Sequence, residues 1–539
     1  MVHRIHRLLA RRHPSRRHTL WHVGGAIVAL LAAAPGPAAA YLPPPTDRPP
    51  PLDSRPAPTD AIPVGRAELA RAYLDFERAW RDHPPPPARA ADMNRAFDRA
   101  SIGFFSGQYG QVIRDLHALT GDLESPGSPP GSSARLARSL KATLVPPIAV
   151  AGPRLDIRVD CAPMYALDAP AGRPTILARL DPAAGPGAQA EHPWDPAAQV
   201  QSLTLALDHA APGSWRLRIA IRDGAEQSPW VDAGQVCVLA RPLEDERRAL
   251  AARLESLARS DAIAPARATA RARLDLLADD AGAASSARFL ADTHELLASV
   301  TAEVVALESG VNPYAGRAGD HWRVVSIDAA TMPVRVFAPD RSDPRPDAPD
   351  EPLPLLIALH GAGGDENMFF EGYGAGAIKD LARQRRVLVA APLTYTIMGS
   401  PAMFDRLVED LARDYPVDRA RVYVIGHSLG GGAASGLARL RASALAAVCC
   451  IAGGSFPAVG KGGDPIPFAP TLVIGGALDP IVPAARLRAG AERARAAGLR
   501  VEYREKKDFG HTLLVGATLA EAIDWLLARK LEGEVRPTP

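Results

Sequence analysis

The chain changes its hydrophobic period several times, and each change marks a boundary. From Val64 the apolar residues Leu69, Ala72, Tyr73, Phe76 and Trp80 recur every three or four positions, so they share one helix face. A second helical stretch covers residues 88–119, with a break near 103–110. After a Ser/Gly/Pro-rich stretch at 125–133 the period drops to two. Residues 155–161 (LDIRVDC), 203–207 (LTLAL) and 215–219 (WRLRI) alternate apolar and polar, the pattern of half-buried strands. Residues 146–242 therefore read as a small β-sandwich-like module between two helical regions, 64–145 and 243–310. The second region holds Leu250, Leu254 and Leu257, then Leu274, Leu276 and Leu277, and a third helix over 286–308.

From about residue 311 short apolar runs alternate with helical patterns. The strand candidates are 355–359, 387–390, 422–425, 447–451 and 472–474. Helical stretches fall near 374–384, 403–413, 429–440, 485–497 and 516–530. Such an alternation predicts an α/β domain over 311–533, with a doubly wound, mostly parallel sheet covered on both faces. No repeat of 20–50 residues is visible, so a propeller is not expected.

The N-terminus reads differently. Six arginines and no acid precede an apolar run at 23–34 (VGGAIVALLAAA) and the small residues Ala38-Ala39-Ala40. That is the order of an export signal, residues 1–40. Its run is shorter than the ~20 residues that span a bilayer. Ser15-Arg16-Arg17-His18-Thr19-Leu20 is similar to a twin-arginine signal, with Thr19 where that pattern prefers an aromatic. An uncleaved anchor is the other reading. Residues 41–63 form a Pro-rich linker. The protein is expected outside the cytoplasm: periplasmic, at the cell surface or extracellular.

Composition adds limits. The 539 residues are 47% hydrophobic and 23% charged, which is ordinary globular usage and excludes a collagen, a coiled coil or a wholly disordered chain. The net charge of +2 belongs to the leader; the rest holds 56 basic and 60 acidic residues. Nucleic acid is therefore not an expected partner. Of four cysteines, Cys161 and Cys237 lie in strand-like segments, and an oxidising compartment permits a bridge between them; two buried free thiols is the plainer reading. No Cys/His spacing resembles a metal site, and no cofactor is expected.

The chemistry sits in the last third. Gly426-His427-Ser428-Leu429-Gly430 is a G-x-S-x-G between a strand (421–425) and a helix opened by three glycines. That context is what a nucleophile elbow needs, with Ser428 as nucleophile. A serine hydroxyl needs a base. Asp479 follows the strand at 471–475, at the sheet edge where parallel strands end, and is the expected acid; Asp464 and Asp508 are weaker rivals. Only one histidine, His511, lies beyond Asp479, and it is the expected base. The backbone N–H of Leu429 should supply one oxyanion donor. Ala362, in the Gly-rich loop His360-Gly361-Ala362-Gly363-Gly364, should supply the other, with Gly361 and Gly363 as alternatives. His360 is expected to brace that loop and His427 to pack or position. Tyr395, Met398 and Phe456 follow strands on the same edge and should rim the acyl pocket.

Residues 320–532 resemble the α/β-hydrolase superfamily through the segments LPLLIALHGAGGDE, YPVDRARVYVIGHSLGGG, LVIGGALDPIVP and FGHT. Within it, residues 415–432 look like secreted polyhydroxybutyrate-depolymerase-like and feruloyl-type esterases. They are also similar to prolyl-oligopeptidase-type hydrolase domains and to the phospholipase/carboxylesterase group. The resemblance implies hydrolysis of a small or polymeric ester through an acyl-enzyme. The alternatives are a serine peptidase of the prolyl-oligopeptidase type, deacetylation of a glycan, and a binding protein on a retained scaffold. Residues 64–310 match no pattern and read as a spacer or a polymer-binding element.

Overall fold

The computed structural model describes residues 64–128, 130–167, 172–257, 262–278, 286–340, 351–456 and 467–531. The leader, the linker and Asp464 lie outside them.

The chain enters through three helices, α1 (Arg66–Asp82), α2 (Pro87–Ile102) and α3 (Tyr109–Glu124). Pro87 can open α2 because the first helical N–H has no intrahelical partner. Leu69, Phe76, Phe97, Ile113 and Leu116 bury a common face, joined by Leu513 from far along the chain. Between α2 and α3 a single turn, Gly103–Ser106, ends at Gly107 with φ 72°, a left-handed conformation that suits glycine. Helix α4 (Ser132–Ser139) runs straight into β1 (Leu140–Val145), so the strand begins before residue 146, the start read from sequence.

Two sheets follow. One has the order β1, β3 (Arg154–Pro163), β6 (Gln201–Asp208). The other runs β2 (Ile148–Val150), β9 (Val231–Leu239), β7 (Gly213–Asp223), β4 (Thr175–Pro182), β5 (Ala188–Pro193), with β8 (Glu226–Gln227) on β7. Burial alternates along β6 residue by residue. The inner faces enclose Ile157, Val159, Leu205, Leu217, Ile219, Val236 and Val238. Trp215 is buried in this core.

The Cys161–Cys237 bridge is absent: both thiols are free and buried. The two-residue period explains it. Cys161 belongs to the core between the sheets. In β9 that core takes Val236 and Val238, so the intervening Cys237 faces the other side of its sheet.

Helices α5 (Leu243–Ser256), α6 (Ala264–Asp275), α7 (Ala287–Leu290) and α8 (Thr293–Glu308) come next. The single helix expected over 286–308 is two, because Asp292 caps α8 by accepting the Glu295 N–H at 3.0 Å.

The remaining strands form one eight-stranded sheet in the order β10, β11, β13, β12, β14, β15, β16, β17. Strands β10 (Gly319–Ile327) and β11 (Ala330–Ala338) make an antiparallel hairpin that sequence reading passed over. Strands β12 (Leu353–Leu359), β13 (Leu388–Pro392), β14 (Val417–His427), β15 (Ala447–Ile451), β16 (Thr471–Gly476) and β17 (Val501–Lys506) are mutually parallel. Every residue of β12, β13, β15 and β16 is buried, as a sheet covered on both faces requires. Helices α9 (Ile378–Arg385), α10 (Thr394–Gly399), α11 (Ala402–Asp414), α12 (Leu429–Leu440), α13 (Ala484–Ala496) and α14 (Leu514–Leu527) cover it. Helix α10 holds Tyr395 and Met398, two of the residues expected to rim the acyl pocket. The outer edge, β10, is covered by α6, whose Thr269 hydroxyl donates to Val324 O at 3.3 Å. No helix among the described residues is long and apolar enough to cross a membrane.

Candidate active site

Strand β14 ends at His427 and α12 starts at Leu429, so Ser428 alone makes the turn. Its φ of 53° and ψ of −114° lie in a region that a side chain rarely adopts. The flanking glycines are obligatory on steric grounds. A Cβ on Gly426 would lie 2.1 Å from Gly430 O, and one on Gly430 would lie 2.0 Å from Leu359 O. The turn is anchored by the Ser428 N–H, which donates to Ile451 O at 2.9 Å. Leu429 is the first residue of α12, so its N–H belongs to the unsatisfied set at a helix start.

Asp479 and His511 meet in the way expected from sequence. His511 Nδ1–H donates to Asp479 Oδ2 at 2.7 Å, with both side chains buried. The other carboxylate oxygen accepts the N–H groups of Ile481 and Val482, each at 2.8 Å. With Nδ1 so engaged, His511 Nε2 is left as the basic nitrogen. It makes no hydrogen bond among the described residues. Asp508 is a lesser neighbour of the same loop, 3.9 Å from Lys507.

The Gly-rich loop after β12 leaves one donor unspent. Gly361 N–H donates to the Tyr373 hydroxyl at 3.3 Å, Gly363 N–H to the Tyr395 hydroxyl at 2.8 Å, and Gly364 N–H to Gly361 O at 3.3 Å. Among the described residues Ala362 N–H has no partner, which separates it from both alternatives. Tyr395 thus braces the loop, its ring edge-on to His360. Met398 is exposed on α10, while Phe456 packs beside Phe468 and against the α13 glycine Gly490.

Two buried histidines hold the parts together. His360 donates from Nδ1 to Gly361 O at 2.8 Å and accepts the Thr394 N–H on Nε2 at 3.0 Å. His427 donates from Nε2 to His511 O at 3.1 Å and accepts from the Tyr373 hydroxyl on Nδ1 at 2.8 Å. Burial holds both imidazoles below the ordinary histidine range. One chain of hydrogen bonds therefore runs from Gly361 through Tyr373 and His427 to the backbone of His511. Tyr373 was not legible from sequence: it lies in an irregular segment, 368–376, with no motif of its own.

Residues upstream of the sheet also enter. Arg66 donates to Gly363 O at 3.1 Å, and Glu77 accepts the Gly374 N–H at 3.2 Å. Phe104 lies so close to Gly363 that a Cβ there would be 2.4 Å from its ring. No group of three or more potential metal ligands occurs among the described residues.

No family model matches the chain. Over 146 residues it is 32% identical to feruloyl esterase C of Emericella nidulans, covering 25% of this chain and 52% of that protein. Over 145 residues it is 30% identical to the probable feruloyl esterase C of Aspergillus flavus, again 25% and 52%. The chain spans about half the length of the curated relatives it matches. Est1E from Butyrivibrio proteoclasticus, a solved structure, is 15% identical over 39% of this chain and 100% of its own, with a TM-score of 0.31. The C-terminal part of the chain is thus an α/β domain with a strained serine turn between a parallel strand and a helix, and over about a quarter of its length the chain is similar to feruloyl esterases.

Proposed function

We propose that the protein is an exported serine esterase that hydrolyses carboxylic esters through Ser428, His511 and Asp479. The observation that carries this reading is the strained Ser428 turn, whose neighbour His427 is bonded to the backbone of a histidine already oriented by a buried carboxylate. His511 Nε2 takes the hydroxyl proton as Ser428 Oγ attacks the ester carbonyl. The N–H groups of Leu429 and Ala362 stabilise the oxyanion. The imidazolium then protonates the leaving alcohol, and a water activated by the same nitrogen releases the acid. Asp479 keeps the proton on Nδ1 throughout.

The relatives' names supply the acyl group to try first, a feruloyl ester. Two exposed aromatic side chains tied to the Gly-rich loop, Tyr395 by its bond to Gly363 and Phe105 through Phe104, suit an aromatic acyl group. Phe105 stands edge-on to Phe104, which abuts Gly363.

The test is turnover of methyl ferulate and of p-nitrophenyl esters of increasing length, beside a prolyl-peptide anilide. Ser428→Ala should lower ester turnover by about 10³-fold or more with the fold intact. Anilide cleavage without ester cleavage would replace the esterase reading with a peptidase. Ester turnover that survives in Ser428→Ala would remove Ser428 as the nucleophile.

A further inference from the structure

The loop that carries His511 is held from outside the hydrolase sheet. Asp98, on α2, accepts the His511 N–H through Oδ2 at 2.8 Å. Asn94, one turn earlier on the same face, accepts the Gly510 N–H at 3.1 Å. Both are buried, with 3% and 1% of their surface exposed. The fit is close: a Cβ on Gly510 would lie 1.8 Å from Asp98 Oδ2, so the loop reaches the carboxylate only because residue 510 is glycine. The donors lie more than 400 residues away in sequence.

A buried carboxylate is costly without partners. Here its partner is the backbone N–H of His511, in the loop that leads into the last helix. Asp98 is raised above the ordinary aspartate range chiefly by burial, and the bond from the His511 backbone opposes that rise. The charged and titratable groups around His511 are Asp479 from the β16 loop, Asp98 from α2, and His427 from the end of β14. Asp479 orients the ring; Asp98 and Asn94 fix the backbone that carries it. His427 adds the third hold, on the carbonyl of the same residue.

We propose that Asp98 and Asn94 are positioning residues for the base, so that α2, upstream of the sandwich and of the whole hydrolase sheet, is a working part of the active site. The inference rests on the esterase reading for its kinetic consequence but not for its geometry. A shift of about 1 Å in a reacting group costs on the order of 10²-fold in rate. In the full chain, Asp98→Ala should lower kcat 10- to 100-fold with KM within twofold. Asp98→Asn, which keeps an acceptor oxygen, should recover most of the loss. Asn94→Ala should act in the same direction more weakly.

Amide hydrogen exchange provides a readout that needs no turnover. Peptides containing Gly510 and His511 should be protected in the unaltered protein and lose protection in Asp98→Ala, while β14 and β16 keep theirs. Unprotected amides at 510 and 511 in the unaltered protein would overturn the proposal, whether or not the protein proves to be an esterase. So would an active enzyme whose kcat is unchanged in well-folded Asp98→Ala and Asn94→Ala.

Discussion

Tyr373 offers the sharpest test of how the site is held. Its hydroxyl is buried, accepts from Gly361 N–H and donates to His427 Nδ1. Tyr373→Phe keeps the ring and deletes only the oxygen. His427 cannot adapt by switching tautomer, because its Nε2–H is already given to His511 O. Two buried polar groups are then left unpaired, at about 1–3 kcal/mol each, the long Gly361 bond counting at the low end. Stability should fall by about 2–4 kcal/mol. The loss should also reach the chemistry, since the Gly361 loop carries Ala362, the proposed oxyanion donor, and His427 bonds the backbone of His511, the proposed base. A fall in kcat of about 10- to 100-fold with little change in KM is expected. Urea unfolding and p-nitrophenyl acetate kinetics on the same preparation measure both. A variant within 0.5 kcal/mol of the unaltered protein (about the noise of such measurements), with unchanged kcat, would refute the relay from Gly361 to His511.

Two further predictions concern stability. Glu77 is buried, and burial raises its carboxyl from 4.5 to about 7. The folded state therefore binds more protons than the unfolded state between about pH 4.5 and 7, and stability falls as pH rises through that window. The difference corresponds to about 3 kcal/mol, which Glu77→Gln should abolish; a stability gap between the two proteins that is the same at pH 4.5 and pH 8 would contradict it. At the elbow, Gly430→Ala forces a Cβ to within 2.0 Å of backbone and should cost more than about 3 kcal/mol, or prevent folding. Gly432→Ala, two residues on, meets nothing within 4 Å and should stabilise α12 by about 0.5–1 kcal/mol. Thermal unfolding of the pair checks the contrast.

Sequence alone determined the elements whose cause is local. The period-two segments became β3, β6 and β7, and the apolar runs became the buried parallel strands. The turn at Ser428 and the positions of Asp479 and His511 as candidates were legible because a G-x-S-x-G between strand and helix, a strand-ending acid and a late histidine each leave a mark within a few residues; the hydrogen bond between Asp479 and His511 was left to the fold. The hairpin of β10 and β11 was missed because an antiparallel edge mixes charged and apolar residues over a pattern too weak to stand out. Cys161 and Cys237 are the buried free thiols of the plainer reading; the bridge that the sequence permitted is not formed, because strand membership does not say which face a residue takes.

Only the tertiary structure decided which backbone donor of the Gly-rich loop is free. That choice depends on where the hydroxyls of Tyr373 and Tyr395 fall, 12 and 32 residues from the N–H groups they accept, in segments that carry no motif for it. It also brought the first helices against the loop of the last histidine. Hydrogen bonds between α2 and residues 510–511 join groups more than 400 positions apart, and no local period or motif encodes such a contact. Local propensity and alternation act over a few residues; complementarity between two surfaces exists only after both have folded.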